Sequence, residues 1–371
     1  MKKSIVILGC GPRGLTAALQ ALKYKDKYNI YLIDPNPIST WKYPHMVVDM
    51  KMRSPITFDL TTFQKDLQTY SLSNYLGYNT EPVFTQQEVE KNSIYCKREE
   101  FLKYLQYILN ILQKEGVTLI KQKPTVISKD EIVFKSTKLQ YNYLIIATGK
   151  FTEEPVIPNY IKHSNINFCK DVYSNNWVNK KVYVLGSGQF AAEIVNYLIT
   201  TTNKHIFWVQ SKEPKVEQYP APSFKNWGLF SALSNYYYKN LSIKQTGEEY
   251  LKRVKSWGPS ITPYINNKLL KNIDKYTVIK PNDIKIESNS EFILALGRRQ
   301  NINNLPLDFS ISKGYSQDKV PRLNRDFSSY SNPNIYFTGL LSLELGGPNQ
   351  GSLISCGETA KVILNSIHGV V

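Results

Sequence analysis

Ser4-Ile5-Val6-Ile7-Leu8-Gly9-Cys10-Gly11-Pro12-Arg13-Gly14-Leu15 is the stretch from which the fold of this chain is read. Ser4 to Leu8 is a short apolar run suited to a buried parallel strand. It feeds directly into three glycines and then a helical stretch, Leu15 to Tyr24. Strand, glycine turn and helix in that order make a dinucleotide-binding crossover. Gly9 permits the tight turn, Gly11 lets backbone approach a diphosphate, and Gly14 lets the helix pack close to the strand. The diphosphate then rests on the unsatisfied N–H groups at the helix start, around Pro12. A second apolar run, Ile30 to Ile33, ends in Asp34, which can accept a hydrogen bond from a ribose hydroxyl.

The pattern occurs again in the middle of the chain. Lys181 to Leu185 reads as a strand, and Gly186-Ser187-Gly188-Gln189-Phe190-Ala191-Ala192-Glu193 opens a helix running to about Thr200. Ala191 takes the place of the third glycine and is still small enough for close packing. The next strand, His205 to Val209, ends in Gln210-Ser211-Lys212. Gln210 stands where an acid would repel a phosphate, and Ser211 and Lys212 can hydrogen-bond and neutralise a ribose 2′-phosphate. This points to NADPH over NADH. The alternative, a surface loop with an incidental lysine, stays open because Glu213 follows and lysines are frequent.

Tyr143-Leu144-Ile145-Ile146-Ala147-Thr148-Gly149 is a further strand running into a small-residue turn. It resembles the A-T-G ending that closes the FAD domain of two-dinucleotide flavoproteins, with Thr148 and Gly149 at the cofactor. Glu291 to Gly297 repeats the pattern and marks the expected return to the first domain. Asn334 to Gly339 is then a final strand ending at the flavin. Gly346-Gly347-Pro348-Asn349-Gln350-Gly351 leads into a last helix whose start could face the flavin ring, with Asn349 and Gln350 as candidate pocket residues and Gly351 at the cofactor. The expected architecture is α/β, two Rossmann-like dinucleotide-binding domains with the second inserted into the first. Residues 1–169 and 291–371 form the FAD domain and 170–290 the NADPH domain. Glu213 to about Lys275 does not read as simple alternation and suggests a helical insertion near the substrate entrance.

Composition sets the background. A chain of 371 residues exceeds the usual single domain. A hydrophobic share of 42% with 20% charged residues is that of a soluble globular protein. The scattered cysteines Cys10, Cys96, Cys169 and Cys356 form no C-x-x-C, which argues for reduced thiols in a cytoplasm and against a zinc site or dithiol centre. Glycines at 9, 11 and 14 interrupt the apolar start too early for a signal peptide. No apolar stretch approaches the roughly 20 residues that cross a bilayer. The net charge of +16 comes from lysines spread along the chain without a basic block interleaved with aromatics, so nucleic acid is not the expected partner. It reads as a solvated surface, or as a field attracting NADPH or an acidic protein that carries the substrate.

Four pieces of the sequence resemble the FAD-dependent, NADPH-using N-hydroxylating monooxygenases that act on ornithine, lysine and related amines. They are Gly9 to Gly14; Asp59-Leu60-Thr61-Thr62 with Ser71-Leu72-Ser73-Asn74-Tyr75-Leu76; Arg98-Glu99-Glu100-Phe101-Leu102-Lys103-Tyr104-Leu105; and Gly186 to Glu193. The resemblance implies that NADPH reduces the flavin, that the reduced flavin captures O2 as a C4a-hydroperoxide, and that its distal oxygen passes to a nucleophile. The cofactor carries the chemistry, so no Ser-His-Asp set or paired carboxylates are required, and none is evident. His45 alone of the four histidines lies in a segment expected to border the flavin, where packing or solvent exposure is favoured over catalysis.

The departures bear on the substrate. A lysine that holds the substrate carboxylate in the amino-acid hydroxylases corresponds to Phe58, and a glutamine near the flavin corresponds to Arg53. The serine of the second glycine piece is Phe190, and the F-H-S piece appears as Asn167-Phe168-Cys169-Lys170. An aromatic ring cannot neutralise a carboxylate, so the expected substrate is a larger, less polar or carrier-bound amine, not free ornithine or lysine. Oxygenation at carbon or sulfur remains an alternative, although Phe168 to Tyr173 lacks the histidine of the Baeyer–Villiger fingerprint. A non-monooxygenase NADPH:FAD oxidoreductase and a flavin redox sensor are the others, and a homo-oligomer is compatible with all of them.

Overall fold

The computed structural model describes residues 2–38, 50–62, 64–78, 94–149, 153–161, 165–168, 172, 177, 179–202, 205–217, 245, 259–314, 319–346 and 352–369. Two five-stranded, all-parallel sheets organise them, as expected of two nucleotide folds of the α/β class. The first has the spatial order β17 (Ile335–Phe337), β7 (Tyr143–Ile146), β1 (Lys3–Leu8), β2 (Tyr28–Ile33), β3 (Thr118–Ile120). The second has the order β14 (Tyr276–Ile279), β11 (Ile206–Val209), β10 (Lys181–Leu185), β15 (Ser290–Leu294), β9 (Asn165–Phe168). The helices used below are α1 (Pro12–Ala21), α2 (Arg98–Lys114), α3 (Gln189–Thr201), α4 (Pro263–Leu270) and α5 (Cys356–His368). Smaller pairings complete the chain: a meander of β4 (Val126–Ile127), β5 (Glu131–Val133) and β6 (Lys138–Gln140), and a parallel pair of β12 (Lys215–Val216) and β13 (Ser260–Ile261). The two chain crossings between the units run side by side as antiparallel β8 (Glu153–Pro155) and β16 (Arg298–Gln300).

The central strands read as continuous apolar runs because both of their faces are covered. Ile5, Val6 and Ile7 of β1 and Val182 and Val184 of β10 are wholly buried. Helix α2 buries Phe101, Tyr104, Leu105, Ile108, Leu109 and Leu112, the three-and-four spacing of one helical face. Each such side chain contributes about 1.5–3 kcal/mol on leaving water. Its start is closed by Glu100, whose Oε2 accepts from the Lys97 N–H at 2.6 Å. Phe101→Ala would empty the middle of that face and cost about 3–5 kcal/mol.

The second unit is wider than the span 170–290 read from the sequence. Its sheet takes in β9, before residue 170, and β15 through Leu294, because Glu291 to Leu294 pair with Asn165 to Phe168. The strand expected to begin the return to the first domain therefore belongs to the second, since its apolar run suits the neighbour of either glycine strand. Of the expected helical insertion, β12, β13 and α4 are described, while 218–244 and 246–258 lie outside the described residues.

Candidate functional site

In each sheet the strand order reverses beside the glycine strand, and the crevice that opens there is where open α/β sheets take ligands. The two crevices are built by corresponding hydrogen bonds. Ala147 N–H donates to Leu8 O and Ala295 N–H to Leu185 O, both at 2.8 Å. Gly9 N–H donates to Ile33 O at 2.8 Å and Gly186 N–H to Val209 O at 3.0 Å. The A-T-G turn and its counterpart after β15 thus flank the two glycine turns from the far side of each switch point.

The glycines divide by what surrounds them. Gly9 and Gly186 have φ of +108° and +138°, and a Cβ on either would meet Ala147 O or Ala295 O at 2.4 Å. A Cβ at Gly14 would lie 1.9 Å from Gly9 O. These three are glycine for the protein's own packing. Gly11 and Gly188 are different: each has negative φ, and a Cβ there meets nothing within 4 Å. No strain and no protein neighbour requires glycine at these two places, so the open space above them fits the approach of a diphosphate.

The helix starts agree with that reading. Gly11 and Gly188 are the N-caps of α1 and α3, neither helix has a side-chain cap, and neither has an acid in its first turn. Their first N–H groups are left to an anion, in contrast to α2 with Glu99 and Glu100 in its first turn. Three buried hydroxyls have no partner among the described residues: Thr57 Oγ1, Thr148 Oγ1 in the A-T-G turn and Ser187 Oγ between the second pair of glycines. The last two lie in the two turns and keep a donor to spare. Beyond β2, Asp34 Oδ2 accepts from Cys10 N–H and Oδ1 from Asn36 N–H, each at 2.8 Å, with lone pairs remaining for a ribose hydroxyl. Gln210 occupies the corresponding place after β11: Asp34 N–H donates to Ile120 O and Gln210 N–H to Ile279 O. Ser211 and Lys212 follow it and are exposed. The residues present fit FAD in the first cradle and NADPH in the second.

Arg13 joins the first cradle to the C-terminal segment. Its Nη1 donates to Thr338 Oγ1 at 3.2 Å, and its Nη2 to Ser352 O at 2.9 Å and Ser355 Oγ at 2.5 Å. A Cβ at Gly339, where φ is +78°, would stand 3.0 Å from Arg13 Cδ. Of the loop expected to face the flavin, Asn349, Gln350 and Gly351 lie outside the described residues, as does His45. Burial lowers the Arg13 pKa, with the nearby Cys356 acting in the opposite sense.

The D-L-x-T and S-x-S-N pieces form one buried polar knot. Asp59 Oδ1 accepts from the Thr61 N–H at 2.7 Å and Thr61 Oγ1 at 2.9 Å, and Oδ2 accepts from the Leu72 N–H at 2.5 Å. Burial pushes the Asp59 carboxyl up to about 6 against these bonds. Phe58 beside it is 1% exposed, so its ring packs into the protein instead of presenting a charge to a substrate. Arg53 reaches out of the first unit, and its Nη2 donates to Ser260 Oγ of the second. Cys10, Cys96 and Cys356 are buried outside any disulfide; burial pushes the Cys96 thiol up to about 12 and raises that of Cys356, so neither is a thiolate nucleophile. Among the described residues no cluster of His, Cys, Asp and Glu could hold a metal, and no helix is long and apolar enough to cross a membrane.

A family model described as L-lysine 6-monooxygenase/L-ornithine 5-monooxygenase matches residues 3–317. The chain belongs to that family. It is accordingly an oxidoreductase of the monooxygenase class. Among similar solved structures is the ornithine N-hydroxylase of Kutzneria sp. 744, with reduced FAD, NADP+ and L-ornithine. It shares 14% identity and a TM-score of 0.75, covering 100% of this chain and 99% of that one. The cadaverine monooxygenase of Erwinia amylovora, bound to FAD, shares 15% identity and a TM-score of 0.75, covering 100% and 95%. A curated relative, senecionine N-oxygenase of Tyria jacobaeae, is 25% identical over 215 residues, which are 54% of this chain and only 45% of that relative's length.

Within this family member, the structure brings together several residues that the sequence left apart. Arg13 sits inside the first glycine motif, yet its partners lie more than 300 positions away. Arg98 and Glu193 each belong to a family piece, but nothing in either piece announces that they meet. The signal was the residue type alone: an arginine and a glutamate on otherwise apolar helix faces.

Proposed function

We propose that this protein uses NADPH and O2 to oxygenate the nitrogen of an amine other than free ornithine or lysine. The observation that carries the reading is the pair of matched cradles, in which Gly11 and Gly188, unlike Gly9, Gly14 and Gly186 of the same two turns, stand open while the acid Asp34 of the first becomes Gln210 in the second. Bound FAD supplies hydride acceptance from NADPH and the activation of O2. Around it, α1 and Asp34 hold the adenosine side, Arg13 anchors the segment ahead of α5, and Ser211 with Lys212 meets the NADPH 2′-phosphate.

Nitrogen as the target is supported by the names of the relatives, which share oxygenation of nitrogen compounds: ornithine, cadaverine and senecionine. An amine without a free amino-acid carboxylate is supported by Phe58, which offers no cation to such a group. Cadaverine, the substrate named for one neighbour, has no carboxylate to neutralise. With a net charge of +16 the enzyme also suits an amine held on an acidic carrier protein. The buried cysteines suit a reducing cytoplasm.

The test is a panel of diamines, alkylamines and carrier-bound amines, scored for NADPH consumption, peroxide release and hydroxylamine formation. One amine should convert NADPH into N-oxygenated product with little peroxide, and stopped-flow mixing of the reduced enzyme with O2 should show a transient oxygenated-flavin spectrum. Tight coupling with ornithine or lysine would refute the substrate reading. Reduction by NADPH with no oxygenated product from any amine would refute the N-oxygenase reading.

A further inference from the structure

The two nucleotide units meet along a seam that the sequence motifs do not describe. In the first unit, Met50 to Arg53 lie against Cys96 to Arg98: Met52 N–H donates to Cys96 O at 2.8 Å and Arg98 N–H to Met50 O at 2.7 Å. Side chains cross from this ladder into the second unit. Met50 packs into the apolar core formed around α3 and α4, and Lys51 stands over the Tyr264 ring at 5.8 Å. Arg98 makes two bonds to Glu193 on α3, Nη1 to Oε2 at 2.7 Å and Nη2 to Oε1 at 2.5 Å. The exposure of the two side chains is 9% and 1%.

Glu193 does not stop at Arg98. Gln189 Nε2 donates to Glu193 Oε1 at 2.7 Å, and Gln189 Oε1 accepts from the Thr262 N–H, the cap of α4, also at 2.7 Å. Gln189 is the first residue of α3 and follows Gly188, above which the second diphosphate fits. One continuous set of hydrogen bonds, charge-assisted at Glu193, therefore runs from the start of α2 in the flavin unit to the lip of the NADPH cradle.

A buried ion pair is a poor stabiliser, because desolvation offsets its attraction and a well-packed apolar pair holds a fold as well or better. What two parallel N–H···O bonds add is geometry: they set both the distance and the rotation between the elements that carry them. Hydride transfer needs that control, since the nicotinamide and the flavin belong to different units and must meet in van der Waals contact. Resting on the NADPH-to-FAD reading above, we propose that the Arg98–Glu193 pair is a positioning device that sets the NADPH cradle at hydride-transfer distance from the flavin.

The test uses the FAD-loaded enzyme, with Glu193→Gln and the apolar double variant Arg98→Met/Glu193→Met. Anaerobic stopped-flow should show the limiting rate of flavin reduction at saturating NADPH falling about 100-fold, the loss typical of misplacement by about 1 Å. The dithionite-reduced flavin of the same variants should meet O2 at the wild-type rate, because the bonds of the pair run from α2 to α3 and not to the first glycine turn. Small-angle scattering of the double variant should show a broadened arrangement of the two units. If Glu193→Gln fails to fold, the double variant decides, since it leaves no buried charge unpaired. A double variant that is reduced at the wild-type rate, with unchanged scattering, would overturn the proposal and leave the pair a packing feature. Should the wild type itself resist reduction by NADPH, the functional reading fails separately and scattering alone decides the pair.

Discussion

In a Gly188→Ala variant the added methyl meets no protein atom within 4 Å, and the backbone, at φ −95° and ψ −179°, accepts any residue. The folded protein therefore loses nothing, and the unfolded chain loses conformational freedom, so the variant should be as stable as wild type or more stable by about 0.4–1 kcal/mol. The NADPH cradle should suffer instead. The methyl occupies the space through which the α3 start approaches the diphosphate, and forfeiting one charge-assisted bond costs about 1.5–3 kcal/mol. This corresponds to a rise in the NADPH dissociation constant of about 10- to 100-fold. The measurement pairs thermal unfolding of the FAD-loaded protein with anaerobic NADPH titration of flavin reduction. Gly186→Ala is the contrasting control: at φ +138° with Ala295 O at 2.4 Å it should lower the melting temperature outright. A Gly188→Ala protein with unchanged melting and unchanged NADPH affinity would refute the argument, because the open space would then serve no diphosphate.

Other outcomes follow from the same geometry. Gly14→Ala would press a methyl against Gly9 O, 1.9 Å away, and should cost about 1–3 kcal/mol together with FAD retention, read as flavin content after gel filtration. Ser211→Ala with Lys212→Ala should weaken NADPH but leave NADH unchanged, shown by the ratio of the two dissociation constants; equal losses for both would place the 2′-phosphate elsewhere. Asp59, raised by burial from 3.8 to about 6, holds its proton more tightly in the folded state. Its contribution to stability is therefore fully present below pH 3.8 and lost as pH rises through 6, about 3 kcal/mol in all. Asp59→Asn should abolish that slope in urea unfolding, and parallel wild-type and variant curves across pH 4 to 7 would exonerate Asp59. Phe58→Lys introduces a cation beside the Asp59 knot, and oxidation of free ornithine or lysine should rise if that position governs carboxylate recognition; no gain would remove Phe58 as its explanation.

Both cradles were legible in the chain because their signals are local. Strand, glycine turn, helix, strand and terminal residue follow one another within a few dozen positions, and the types demanded at Gly9, Gly14 and Gly186 come from backbone geometry that the turn itself imposes. The substitution of Gln210 for an acid was readable for the same reason. The domain boundary was less legible: β15 carries an apolar run suited to either sheet, and only its pairing with β10 and β9 assigns it to the second. The substrate pocket was legible only as residue types, and Phe58 proved to be packed away in the protein interior.

The amino-acid order by itself determined that two Rossmann-like folds exist and where their glycine turns lie. Tertiary structure alone decided how the two folds are held to each other. Arg53 with Ser260 and Arg98 with Glu193 are separated by 95 positions or more, and their contact depends on how the two units pack. Backbone turns are encoded by neighbours in the chain, whereas bonds that span domains are encoded by the packing that brings distant helices together.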